Sequence, residues 1–246
     1  MPIARFSPPK RGFTLVELLV VIAIVATLAG MAVVGTRMAL RSAAAGETLN
    51  NIRTLGGMME ALADEGLDNG GLNPPGTFPP YEGSLADGTD YVWWDLIALD
   101  MGVAEKDGFD IEWNSLPSET QFQNPLSRHK LGGNDRFYGF NSPSDTRGGF
   151  AYNALLTTDD IGGSFAVVNI EDGPNTILLG ESDDNIQQSG LYFDDQNNAP
   201  QGNYKDSAHC YFLGNSVRTV KNTILKDQSS FEFFTTPRDK NYGNQP

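Results

Sequence analysis

Two histidines, His129 and His209, and one cysteine, Cys210, are all the imidazole and thiol chemistry in this chain. That leaves little for a histidine-based zinc site or a catalytic triad. A lone cysteine forms no intramolecular disulfide and cannot build a cysteine-rich metal site. No G-x-S-x-G, phosphate-binding loop, dinucleotide fingerprint or H-E-x-x-H motif occurs, so no catalytic residue and no enzymatic activity are expected. Carboxylates are plentiful, and some are paired: Asp159-Asp160, Asp183-Asp184 and Asp194-Asp195, with Asp206 nearby. Oxygen-rich loops hold Ca²⁺, but none of these stretches has the alternating ligands and sixth-position glycine of an EF-hand. Calcium at these C-terminal loops therefore competes with a solvated acidic surface, and no other metal or cofactor is expected. His209 reads as structural or exposed, and Cys210 as a small core residue. The carboxylate that stands apart is Glu17, which lies in an otherwise apolar run.

That run follows Lys10-Arg11-Gly12 and reads FTLVELLVVIAI from Phe13 to Ile24. From Leu18 to Gly35, Thr27 is its one clearly polar side chain. As a helix, Phe13 to Gly35 spans about 34 Å, enough to cross a hydrocarbon core of about 30 Å. The first twelve residues hold Arg5, Lys10 and Arg11 and no acid. Basic residues before a span stay cytoplasmic, which sends the following domain outward. Without those three, 14 of the 17 basic residues face 31 acidic ones, a net charge of −17. Such acidity argues against a nucleic-acid partner. A cleaved secretory signal would have a shorter apolar region and a better small-residue site than Ala29 or Ala32 offers. A plain membrane anchor does not explain Glu17, because an ionisable group inside a span calls for a partner.

Gly12-Phe13-Thr14-Leu15-Val16-Glu17, with Lys10-Arg11 before it and the apolar run after it, resembles the prepilin cleavage and methylation motif of type IV pilins and type II secretion pseudopilins. The resemblance implies that a membrane prepilin peptidase cuts between Gly12 and Phe13 and methylates the new terminus at Phe13. It also gives Glu17 a role. The amine released at Phe13 of one subunit meets the Glu17 carboxylate of a neighbour inside a filament, where an unpaired charge is costly and a paired one sets register. The implied partners are membrane lipid before assembly, the peptidase, an inner-membrane assembly platform, copies of itself and other pilin-like subunits. Pilins of this kind often carry a proline where this chain has Val34; Gly30 and Gly35 weaken the helix there instead.

Beyond Arg37 the pattern becomes amphipathic. Leu49, Ile52, Leu55, Met59 and Leu62 recur at helical spacing as a core-facing stripe, with Glu47, Asn51, Arg53 and Glu60 elsewhere on the surface. One helix from about Phe13 to Glu65, stopped by Gly66, is expected. Residues 67–90 read as a Gly/Pro-rich loop. Tyr91 to Met101 reads as a short helix closed by Gly102, with one of Trp93 and Trp94 in the core and the other at its rim. Strands are expected at Ser164–Ile170, Thr176–Gly180, Gly190–Phe193, Ala208–Leu213 and Ser216–Lys221, with Asp172–Asn175 as a turn and Gly214-Asn215 as a two-residue hairpin turn. A second resemblance lies in Ile170–Ser182 and His209–Val220, which look like segments of a large pilin-like bacterial family whose C-terminal domain has no settled function. Gly214-Asn215 stands where that family has Asp-Gly, so no aspartate partner is assigned to His209.

The predicted fold is α+β and pilin-like, a long N-terminal helix packed on a C-terminal antiparallel sheet with long loops. Its parts are a cytoplasmic leader (1–12), a transmembrane and assembly half of the helix (13–35), an amphipathic half (36–66) and a globular domain (67–246). The expected function is that of a structural subunit of a type IV pilus or type II secretion pseudopilus. It would be single-pass in the cytoplasmic membrane, then periplasmic or on the cell surface after assembly. The rival from another class is a membrane-tethered extracellular protein that binds glycans or surfaces through Trp93, Trp94 and the long loops, and never polymerises.

Overall fold

Helix-forming residues and the absence of any proline from Phe13 to Glu65 produce one continuous helix, α1, Leu15–Glu65. The chain is described here by a computed structural model that covers residues 13–66, 75–108, 110–113, 122, 124–126, 150–157, 170, 172–182, 192–193, 196–202 and 204–236. It divides into two compact units at Ala43/Ala44. In the first unit, α1 exposes every one of its residues to Ala43, large apolar ones included, and the Thr27 and Thr36 hydroxyls are turned back onto its own backbone. Thr27 Oγ1 donates to Ile24 O at 2.8 Å and Thr36 Oγ1 to Ala32 O at 2.8 Å, which satisfies both groups without water. The helix runs unbroken through Gly30 and Gly35.

In the second unit α1 buries one stripe: Ala45, Thr48, Asn51, Ile52, Leu55, Gly56, Met59 and Ala63. Leu49 and Leu62, expected at its centre, are its half-buried flanks, while Asn51, expected on the surface, lies within it. Each fully buried Ile, Leu or Met contributes about 1.5–3 kcal/mol, so this stripe dominates the packing of the C-terminal half of α1. Gly66, at φ +79°, stops the helix and donates its N–H to Leu62 O.

Two small antiparallel hairpins come next. The first pairs β1 (Glu82–Ser84), inside a stretch expected to be loop, with β2 (Asp90–Val92), which takes Tyr91 and Val92 from the start of the expected helix. Next comes α2 (Trp93–Asp100), closed as expected by Gly102 at φ +70°, with Val103 N–H reaching back to Ala98 O. The second hairpin pairs β3 (Ala104–Asp107) with β4 (Asp110–Trp113). Between the hairpins α2 is buried from Trp93 to Ala98, and Trp94 (2% exposed) is as enclosed as Trp93 (0%), not at a rim.

The main sheet has the order β7-β5-β6-β8-β9. Its strands are β5 (Phe150–Asn153), β6 (Ile177–Glu181), β7 (Tyr192–Phe193), β8 (Ser207–Phe212) and β9 (Ser216–Lys221). All neighbours are antiparallel except the edge pair β5–β7, which is parallel. Both faces are covered. Alternation along β8 sends Tyr211 toward α1 and α2, and sends Ala208, Cys210 and Phe212 toward Leu225 of α3 (Asn222–Leu225) and Phe231 of α4 (Gln228–Thr235). The β8–β9 connection has three residues, not two. Phe212 pairs with Ser216, because Leu213 leaves the ladder and gives its N–H to Thr176 O. Gly214 (φ +83°) and Asn215 (φ +63°) then make the left-handed part of the turn. The expected turn at Asp172–Asn175 holds a short 3₁₀ helix, Gly173–Asn175. Residues 164–169, expected as strand, lie outside the described residues.

Candidate functional site

Glu17 stands at N3 of α1, and the local sequence Thr14-Leu15-Val16-Glu17 sets its geometry. Thr14 N–H and Oγ1–H both donate to Glu17 Oε2 at 2.8 Å, and Glu17 N–H donates to Thr14 Oγ1 at 3.3 Å. This is a capping box, which satisfies donors at the helix start and places the carboxylate at the positive end of the helix dipole. Glu17 Oε1 has no hydrogen-bond partner among the described residues. Phe13 is 80% exposed next to it, and the surrounding Leu15, Val16, Leu18 and Leu19 are exposed as well. Gly12, Lys10 and Arg11 lie outside the described residues. The T-x-x-E spacing was the available signal for the cap.

A second polar constellation is enclosed in the other unit, and only the fold brings its members together. Glu181, at the end of β6, and His209, in β8, are 0% and 2% exposed. His209 Nδ1 lies 2.7 Å from Glu181 Oε2, which also accepts the backbone N–H of His209 at 2.6 Å. Glu181 Oε1 accepts from Asn124 Nδ2 at 2.8 Å. Asn124 Oδ1 in turn accepts from Thr48 Oγ1 of α1 at 2.9 Å and from Leu126 N–H at 3.0 Å. The Leu126 N–H on Oδ1 fixes which way the amide points, so its NH₂ group faces the carboxylate. Tyr204 stacks on the His209 ring, centroids 6.4 Å apart. Gly202 is needed beside them, since a Cβ there would sit within 3 Å of Ser207 O, Ala208 Cα and Glu181 Oε2. His209 is thus buried rather than exposed, and its carboxylate partner is Glu181.

A second clasp joins α1 to the β8–β9 turn. Glu60 is half-buried and accepts from Tyr211 Oη at 2.9 Å and from Gly214 N–H at 2.6 Å, so it is not a free surface acid. The Tyr211 ring lies against Gly56, and burial together with Glu60 raises the Tyr211 phenol above its ordinary pKa. Thr48, Gly56 and Glu60 fall on one face of α1 at helical spacing.

The two candidate indoles and the Cys210 thiol are enclosed. Trp93 stacks on Tyr152, whose hydroxyl donates to Pro79 O at 2.9 Å. Burial pushes the Cys210 thiol well above its ordinary pKa, which leaves little thiolate. Asp159-Asp160, Asp183-Asp184, Asp194-Asp195 and His129 lie outside the described residues. Asp206 accepts from Asn222 Nδ2 at 3.2 Å. Among the described residues no cluster of three His, Cys, Asp or Glu side chains could hold a metal.

Residues 8–33 match the family model described as the prokaryotic N-terminal methylation motif. The chain thus carries a type IV pilin-like prepilin motif on an α+β domain with a long N-terminal helix. That helix is long and apolar enough to cross a membrane, which with the motif fits a membrane-anchored precursor of the pilin or pseudopilin type. No curated protein and no solved structure matches the chain significantly.

Proposed function

We propose that the chain is a structural subunit of a type IV pilus or a type II secretion pseudopilus. Prepilin peptidase cleaves it between Gly12 and Phe13 and methylates Phe13. The mature subunit waits as a single-pass protein of the cytoplasmic membrane, its acidic domain outside the cytoplasm. An assembly platform then packs its apolar helix against those of other subunits. The observation that carries this reading is the methylation motif on a helix whose first half exposes apolar side chains all round. Lipid covers such a surface before assembly, and neighbouring helices cover it afterwards. The open Oε1 of Glu17 then takes the Phe13 amine of a neighbour, while Oε2 keeps its own helix cap. Burial of Trp93 and Trp94 withdraws both indoles from the surface that a tethered binding protein would present alongside its long loops.

Electron microscopy of sheared surface material, with mass spectrometry of the subunit N-terminus, tests the whole reading. A fibre built of methyl-Phe13 subunits supports it; an intact Met1 in membranes without fibre or pseudopilus would overturn it. Glu17→Gln isolates the charge, because glutamine still closes a capping box. The variant should insert in membranes and be processed, yet assemble poorly. Normal filaments from Glu17→Gln would remove the amine–carboxylate pairing.

A further inference from the structure

Arg37 and Arg41 follow the apolar run, one helical turn apart on the same face of α1, and both are exposed. At ~1.5 Å per residue Arg37 lies about 36 Å from Phe13, just beyond a hydrocarbon core of about 30 Å. Lys10 and Arg11 precede the same run, so basic pairs bracket it in the sequence. The outer pair runs against the usual bias, which keeps arginine on the cytoplasmic side. It also lacks an acid of its own. Apart from Glu17, the helix carries none before Glu47, and neither arginine makes an ion pair or side-chain hydrogen bond among the described residues. Met38 and Leu40 beside them are 70% and 65% exposed, so the pair sits where apolar surface still needs cover.

We propose that Arg37 and Arg41 form a docking site for the phosphate of anionic phospholipid headgroups on the outer face of the membrane. This inference rests on the membrane-spanning reading of α1. A guanidinium presents a planar fork that bonds phosphate oxygens in pairs, and its aliphatic stem can lie along the lipid boundary while the head stays in the polar layer. Two such forks about 6 Å apart can hold one headgroup or two adjacent ones. The site fixes how deep the helix sits and retains the subunit at the membrane until neighbours replace the lipid.

The test uses the full-length chain in phosphatidylcholine bilayers with spin-labelled phosphatidylglycerol or spin-labelled phosphatidylcholine. The wild type should prefer the anionic label. R37Q/R41Q should lose that preference by up to about fivefold per arginine, R37K/R41K should fall between the two because an ammonium keeps the charge without the fork, and R53Q should leave it unchanged. An equal preference in wild type and R37Q/R41Q overturns the proposal. If that variant instead loses self-association by cross-linking while its lipid preference stands, the pair belongs to a contact between copies. Alkaline extraction separates the two levels: a chain that washes out of membranes overturns the span itself, and the lipid site with it.

Discussion

Glu181 and His209 show what a buried polar residue requires. The Glu181 carboxylate takes donors from Asn124, from the His209 backbone and from the His209 ring, all in a site closed to water. Removing one partner from such a set leaves an uncompensated group, whereas replacing the whole set by apolar side chains is often tolerated. Glu181→Gln puts an amide N–H against at least one of these donors. It should destabilise the domain by about 1–3 kcal/mol, and so should Asn124→Ala. Urea unfolding of the full chain in detergent micelles, followed by tryptophan fluorescence, measures both. A Glu181→Gln midpoint equal to wild type would show that the pair carries no structural load. Glu17 is the contrasting carboxylate: it is exposed, and half of its acceptor capacity serves the helix cap.

At the scale of elements, the C-terminal half of α1 is seated by shape as well as by apolar burial. A Cβ on Gly56 would lie 2.3 Å from the Tyr211 ring, while Gly57 has open space around the same point. Gly56→Ala should therefore cost about 1–3 kcal/mol through overpacking. Gly57→Ala should gain up to about 1 kcal/mol from helix propensity. Thermal melts of the two variants should shift in opposite directions, and equal shifts would show that the helix does not seat on Tyr211. The hairpins have an electrostatic tie of their own. Lys106 Nζ of β3 meets Asp87 Oδ2 in the β1–β2 turn at 2.8 Å, and this ammonium, with Thr89, holds the Asp87 carboxyl far below the usual aspartate range. A carboxyl made more acidic by folding stabilises while it is ionised. That contribution is complete above the ordinary aspartate pKa and is lost as the pH falls through the folded value. Asp87→Asn should flatten the acid limb of a stability–pH curve. The change will be small and salt-sensitive, because both side chains are about half exposed.

For the whole molecule, one chain solves two solvent problems. Up to Gly35 its helix pairs its backbone groups internally beyond the first turn and presents mostly apolar side chains all round, which suits lipid or other helices. From Ala44 on it buries a two-faced sheet with α1 and α2 on one side and α3 and α4 on the other. Much of this is written locally. The apolar run, the basic residues before it, the G-F-T-L-V-E motif and the Gly66 stop are short-range signals, so the span of α1 was legible to within two residues at its start and to Glu65 at its end. The 3.6-residue periodicity also found Ile52, Leu55 and Met59. The helices α3 and α4 were not foreseen, although Asp227 was a usable signal: its side chain caps α4 by accepting from Ser230 N–H at 3.1 Å.

Burial of polar residues escaped the sequence for a physical reason. Asn51, Glu60, Glu181 and His209 look like surface residues until their partners are known, and those partners lie far away along the chain. Glu60 meets Tyr211, and Glu181 meets His209, across chain separations that no local periodicity encodes. The sequence by itself determined where the helix begins, where it stops, and that its first half would need lipid or neighbours. Only the tertiary structure decided that Thr48, Asn124, Glu181 and His209 share one buried site, because hydrogen bonds between distant segments exist only after the sheet and helix have packed.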